Sequence, residues 1–121
     1  MITIKTGVDL EQTKRFTRFK PTSSFIKMIF TQSEIDYCFR YKDFWTHLAG
    51  RFTAKEAVIK AAVSLTEVGL SLKDIEITVS KDGIPGVKIN KPILKDTSIS
   101  LSISHTNNLA ISFVIIYKQN L

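Results

Sequence analysis

Ile2, Ile4 and Val8 fall on alternate positions with polar residues between some of them, which predicts a first strand that ends at Asp9 and delivers its carboxylate to the sheet edge. A helix from about Leu10 to Phe19 is expected to follow, closed by Pro21-Thr22-Ser23-Ser24, where proline disfavours the α region before it and a hydroxyl can cap the next turn. Thr31-Gln32-Ser33-Glu34 has the form of a capping box and should open a helix running towards Tyr41. From about Phe44 to Glu67 there is no proline and no breaker except Gly50, while Leu48, Phe52, Ile59 and Val63 recur near the helical period. This segment predicts a long helix. Beyond Gly69 the period changes: Ile75 and Ile77, then Val87 and Ile89, alternate around an Asp82-Gly83 turn. Ile99, Leu101 and Ile103 alternate with serines, Thr106-Asn107-Asn108 supplies turn residues, and Leu109 to Tyr117 is apolar and β-branched, so a terminal hairpin with one buried strand is expected. A strand, then helices, then a strand-rich half, with no linker or repeat, predicts one α+β domain over residues 1–121.

Composition narrows the partners. The 121 residues carry 17 Lys and Arg against 11 Asp and Glu, a net charge of +6, so the surface field favours nucleic acid, nucleotide phosphates or acidic proteins. No stretch has the form of a signal peptide, and no apolar run approaches the roughly 18 residues of a membrane span, which predicts a soluble cytoplasmic protein. Cys38 is the only cysteine, excluding an intrachain disulfide framework and any multi-cysteine metal site. It reads as a small buried hydrophobe; a nucleophile paired with His47 or His105 is the alternative, with no local motif behind it.

The densest chemistry lies in Leu48-Ala49-Gly50-Arg51-Phe52-Thr53-Ala54-Lys55-Glu56-Ala57-Val58-Ile59-Lys60-Ala61, where one carboxylate stands among three cations on a helix. Glu56 and Lys60, four apart, share a face, with Arg51 and Lys55 close enough to flank the same cleft. A solvated Glu-to-Lys pair worth about 0.2–0.5 kcal/mol has the same spacing. Asp9 alone reads equally as a turn or cap carboxylate, and His105 as a turn residue or a satisfied, partly buried histidine.

Taken in order, Gly7-Val8-Asp9 with Arg15, Ile29-Phe30-Thr31 with Glu34, Leu48 to Ala61, Leu70 to Ile77, Asp82-Gly83-Ile84-Pro85, and Ser102-Ile103-Ser104-His105-Thr106 resemble the holo-(acyl-carrier-protein) synthase family of small 4′-phosphopantetheinyl transferases. The resemblance implies a 4′-phosphopantetheinyl transferase-like fold and transfer of 4′-phosphopantetheine from coenzyme A to a serine of apo acyl carrier protein, releasing adenosine 3′,5′-bisphosphate. It implies Asp9 and Glu56 as Mg²⁺ ligands, with Asp9, Glu56 and Lys60 as the catalytic group. Arg51, Lys55, Lys60 and His105 are implied as coenzyme A contacts, and Arg15 and Arg18 as carrier-protein contacts. A homotrimer with sites at subunit interfaces is also implied. Such residue types suit the chemistry, because Mg²⁺ takes one or two carboxylates together with phosphate oxygens and water.

Two departures from the family pattern stand out. Gln12 occupies the place where a glutamate usually follows the first aspartate, with Glu11 one position earlier, and Ala62-Val63-Ser64-Leu65-Thr66-Glu67-Val68 replaces a glycine-rich loop. A non-catalytic member that binds coenzyme A or a carrier protein is therefore an alternative. A small nucleic-acid-binding domain is another, suggested by the charge and by aromatic residues near basic ones, but no zinc, Rossmann or RNA-recognition motif supports it.

Overall fold

The computed structural model describes residues 1–119. β1 (Ile2–Gln12) pairs antiparallel along its length with β5 (Leu109–Gln119), whose other edge pairs with β4 (Thr97–His105), so the last strand is the centre of a three-stranded sheet. β5 alternates as a half-covered strand should: Ala110, Ser112, Val114 and Ile116 are buried, whereas Leu109, Ile111 and Phe113 are exposed.

The first strand corrects the sequence expectation. It runs to Gln12 rather than Asp9, and the expected helix from Leu10 to Phe19 is replaced by a single 3₁₀ turn, Thr13–Phe16. Leu10, Glu11 and Gln12 stand opposite Ile111, Ala110 and Leu109, so ladder pairing claims the backbone groups that a helix would have used. Asp9 consequently lies within the strand, not at its end.

Between β1 and the remaining strands come three helices, α1 (Ser24–Ile29), α2 (Gln32–Cys38) and α3 (Phe44–Ala62). The capping box forms as its pattern requires: Thr31 Oγ1 accepts from the Glu34 N–H, and Glu34 Oε1 accepts from the Thr31 N–H. α2 stops at Cys38, short of Tyr41. α3 stops at Ala62, short of Glu67, because the chain tightens there: the Leu65 N–H reaches back to the Ala62 carbonyl, and Thr66 Oγ1 accepts from the Val68 N–H.

α3 crosses the covered face of the sheet and divides the core. On one side Leu48, Ala49 and Phe52 pack with Phe16, Phe30 and Ile35; on the other Ala54, Ala57, Val58 and Ala61 pack with Ile75, Val114 and Ile116. The crossing is close at Gly7, where a Cβ would lie 1.9 Å from the Ala57 carbonyl oxygen. A second sheet, β2 (Ile75–Val79) and β3 (Pro85–Ile89), forms the expected hairpin, with Gly83 at φ 78° in its turn. The other face of the three-stranded sheet is open: Ile4, Val8, Leu10, Ile111, Phe113 and Tyr117 are exposed beside a row of exposed serines, Ser98, Ser100, Ser102 and Ser104, on β4. Among the described residues no helix is long and apolar enough to cross a membrane.

Candidate active site

Strand parity turns Thr3, Lys5, Gly7, Asp9 and Glu11 towards α3. Because Gly7 has no side chain, the helix approaches β1 directly, and Lys60 Nζ donates to the Val8 carbonyl at 3.0 Å and to Asp9 Oδ1 at 3.1 Å. Glu56, one turn earlier on α3, belongs to the same cluster. Burial pushes its carboxyl above the ordinary glutamate range, the neighbouring Asp9 charge pushes it further, and Lys60 and Arg15 pull it back. The structure thus brings together the three residues that the sequence singles out on this side: Asp9, Glu56 and Lys60.

Their donor set suits a hard divalent cation. The Asp9 charge raises the proton affinity of Glu56, and a cation between the two carboxylates relieves that repulsion. Among the described residues no group of three or more His, Cys, Asp and Glu could hold a metal, so any ion here must complete its shell with water and substrate oxygens, as Mg²⁺ does. Glu11 joins this rim from the same face of β1, but Arg15 Nη1 holds its Oε2 at 2.6 Å. Gln12, by contrast, lies exposed on the opposite face of the strand and does not reach the cluster.

A second group of site residues gathers towards the N-terminal half of α3. Arg51, His47 and His105 line a cavity of about 180 Å³ together with Tyr37, Gly83 of the β2–β3 turn and Pro85 at the start of β3. Arg51 is 7% exposed, and its Nε is buried with no hydrogen-bond partner among the described residues. Its guanidinium carbon sits 4.3 Å from the centre of the Tyr37 ring, and Nη1 donates to the His47 carbonyl at 3.4 Å. A buried cation with an orphaned donor, beside two imidazoles, has the chemistry to receive an anion. His47 is held below the ordinary histidine range, first by burial; Asp43 opposes that shift, while Arg51 and His105 add to it. Tyr41 stacks on the His47 ring with centroids 4.0 Å apart. Tyr37, Tyr41 and His47 carry no motif in the sequence and are found only through this packing.

Lys55 is a correction. Expected among the coenzyme A contacts, it has no exposed side-chain surface and pairs with Glu34 Oε1 at 2.7 Å. Its Nζ also donates to the Ile29, Leu72 and Ile75 carbonyls. Burial lowers the ammonium's proton affinity, and Glu34 opposes that shift by pairing with its charge. The residue is spent inside the core on Glu34 and three carbonyls, so its ammonium is not presented to a ligand. Cys38 is buried as the bland reading expects, and burial pushes its thiol up to about 12, which leaves no thiolate for nucleophilic attack at neutral pH.

Arg15 and Arg18 both lie exposed beyond the end of β1. Arg15 is engaged by Glu11 and lies 4.8 Å from the Phe52 ring centre, whereas Arg18 rests 5.1 Å from that of Phe19. Lys14, Lys20 and Lys27 are exposed in the same part of the chain, together with Met28.

Comparison with known proteins places this geometry. The model of the 4′-phosphopantetheinyl transferase superfamily matches residues 5–114. The chain is 42% identical over 115 residues to the holo-[acyl-carrier-protein] synthase of Thermodesulfovibrio yellowstonii, covering 91% of this chain and 95% of that protein. It is also 42% identical over 120 residues to the corresponding synthase of Caldicellulosiruptor saccharolyticus, covering 93% and 95%. Among solved structures, the holo-(acyl-carrier-protein) synthase from Bacillus anthracis in complex with CoA (3′,5′-ADP) matches with a TM-score of 0.80 at 26% identity, over 98% of this chain and 100% of that one. A match that spans both site groups and nearly the whole chain shows that it belongs to the holo-(acyl-carrier-protein) synthases of the 4′-phosphopantetheinyl transferase superfamily.

Proposed function

We propose that the chain transfers 4′-phosphopantetheine from coenzyme A to a serine hydroxyl of apo acyl carrier protein and releases adenosine 3′,5′-bisphosphate. The observation that carries this reading is the convergence of Asp9, Glu56 and Lys60 across the β1–α3 junction. Asp9 and Glu56 would hold Mg²⁺, which, when bound, offsets the charge of the diphosphate. The serine oxygen forms a bond to the β-phosphorus as the bond from that phosphorus to the bridging oxygen breaks. The hydroxyl proton passes to a cleft carboxylate or water, and the nucleotide leaves with the bridging oxygen. Lys60, half-exposed and held at the Val8 carbonyl and Asp9, places an ammonium against the phosphoryl oxygens on which charge gathers. Arg51 and His105 supply the anion receptor for the nucleotide phosphates. The Bacillus anthracis relative, solved with CoA, supports coenzyme A as donor.

Arg15 and Arg18 offer cations to an acidic carrier protein, with Arg18 the freer of the two. The open apolar face of the three-stranded sheet fits a second copy of the chain, and a closed homotrimer would cover it without leaving an unmatched contact. A cytoplasmic location suits such an enzyme and its carrier. Incubation with Mg²⁺, coenzyme A and apo acyl carrier protein tests the function: the carrier gains the mass of one phosphopantetheine group. No gain across several carriers, with coenzyme A still bound, would make the chain a binding-only member of the family.

A further inference from the structure

β2 belongs to a two-stranded sheet, so its edge away from β3 has no strand to bond. Backbone groups buried at such an edge are costly unless other donors and acceptors replace the missing strand. Here an ion pair replaces it. The Ile77 N–H donates to Glu34 Oε2 at 2.8 Å, and the Ile75 carbonyl accepts from Lys55 Nζ at 2.5 Å. Residues two apart on a strand present their backbone groups to the same edge, so the carboxylate and the ammonium take up successive positions of an absent neighbour.

The remaining capacity of both groups is used to anchor this edge. Glu34 Oε1 accepts from the Thr31 N–H at 2.8 Å, while Lys55 Nζ donates to the Ile29 and Leu72 carbonyls at 3.1 and 3.0 Å. Stability alone would not call for such a pair, because apolar residues of similar volume commonly serve as well as a buried salt bridge. What charged partners add is a defined register. The hairpin they hold carries Gly83 and Pro85 to the wall of the cavity shared with Arg51 and His105. Thr78, Val79 and Ser80 of the same hairpin line an adjoining cavity that reaches Arg51 and Glu34.

We propose that the Glu34–Lys55 pair is a positioning device for the nucleotide end of coenzyme A: it stands in for a missing strand on β2 and thereby sets the β2–β3 turn against Arg51 and His105. This rests on the functional reading above, in which those two residues receive the donor's phosphates. Glu56, although next to Lys55 in sequence, turns towards Asp9 and Lys60. The pair therefore acts on donor binding and leaves the transfer step alone.

The variant Glu34→Gln/Lys55→Met removes both charges without stranding either one, and Glu34→Gln/Lys55→Gln, which also removes both and keeps a donor for the carbonyls, is the milder substitute should the first fail to fold. Hydrogen exchange read by mass spectrometry should accelerate across residues 75–89 while β1 and β5 keep the parent's rates. In transfer assays the KM for coenzyme A should rise about tenfold, with kcat within about twofold of the parent. Mn²⁺ affinity in the absence of substrate should not change. A fall in kcat together with faster exchange along the whole chain would show that the pair serves only the stability of the fold. Parent-like exchange in the hairpin, or an unchanged KM, would overturn the proposal equally. If the parent itself transfers nothing, it is the functional reading that fails. Positioning is then decided by hairpin exchange and by binding of adenosine 3′,5′-bisphosphate, which weakens in the variant only if the pair sets the turn.

Discussion

Lys60 Nζ lies 3.1 Å from Asp9 Oδ1, joining α3 to β1 between residues 51 apart in the chain. The lysine side chain is 54% exposed, so the pair is worth at most about 1 kcal/mol to the fold. Its proposed importance lies in what the two groups do to a substrate. Asp9→Ala, Glu56→Ala and Lys60→Ala should each lower transfer by about a hundredfold or more while shifting the melting temperature by no more than about 4 °C. Mass-based transfer assays alongside thermal melts check this, and a folded variant working at the parent rate removes that residue from the site.

Gly7→Ala should be far more damaging to the fold than a single methyl group suggests. The new Cβ would meet the Ala57 carbonyl oxygen at 1.9 Å, and both partners are backbone-held, so strand and helix must part. A loss of about 3 kcal/mol is expected, at the upper end for overpacking, measured by chemical denaturation. Separation of β1 from α3 should also weaken Mn²⁺ binding, since Asp9 moves with the strand.

His47 makes stability fall in mild acid. Its folded proton affinity is below the ordinary value, so as the pH drops the unfolded chain takes up the proton first. The stabilisation is complete above the ordinary imidazole pKa of about 6.5 and is lost progressively as the pH falls through that value towards the lower folded one. Thermal melts between about pH 7.5 and pH 5 should show this decline, and His47→Gln should flatten it. An equally steep decline in the variant would assign the effect to other groups.

The two arginines proposed to meet the carrier should behave differently. Arg18→Glu should weaken carrier use with coenzyme A binding intact, and the difference from the parent should shrink as salt rises because exposed charges are screened. Arg15→Glu should also disturb the carboxylate cluster proposed to hold the metal, since it frees Glu11 and adds a negative charge near Glu56. Salt-dependent carrier titrations and direct Mn²⁺ binding separate the two outcomes. A salt-independent defect in Arg18→Glu would exclude steering.

Phe113→Asp should convert the proposed trimer to a monomer without unfolding it. The ring is 44% exposed on the open sheet face, so the substitution harms a contact between copies more than the chain's own core. Light scattering and circular dichroism report the two effects separately. A parent that is itself a stable, active monomer at working concentration would refute the assembly.

Alternation made the later strands legible, because Ile75, Ile77, Val87, Ile89 and the serine-spaced isoleucines each keep one face for the core. The long helix was legible through the absence of breakers. Alternation also continues through Val8 and Leu10, but the strand from Leu10 to Gln12 bonds to β5 at the far end of the chain, and a local reading cannot weigh that distant partner against a helix. Asp9, Glu56 and Lys60 stood out by type and order. Lys55 did not reveal its place, since a lysine between Ala54 and Glu56 looks like a surface cation until Glu34, on another helix, is brought against it. Tyr37 and His47 were hidden for the same reason: only packing around Arg51 makes them neighbours.

The pairing of β1 with β5 has a consequence for biosynthesis. The signature helix, with Arg51, Glu56 and Lys60 on it, leaves the ribosome well before the strand that completes their floor, and Asp9 faces its ladder partner Ser112 only once β5 has been made. A nascent chain therefore carries the family's most recognisable segment before the sheet beneath it can close, and the closing contacts are the non-local kind that generally form slowly.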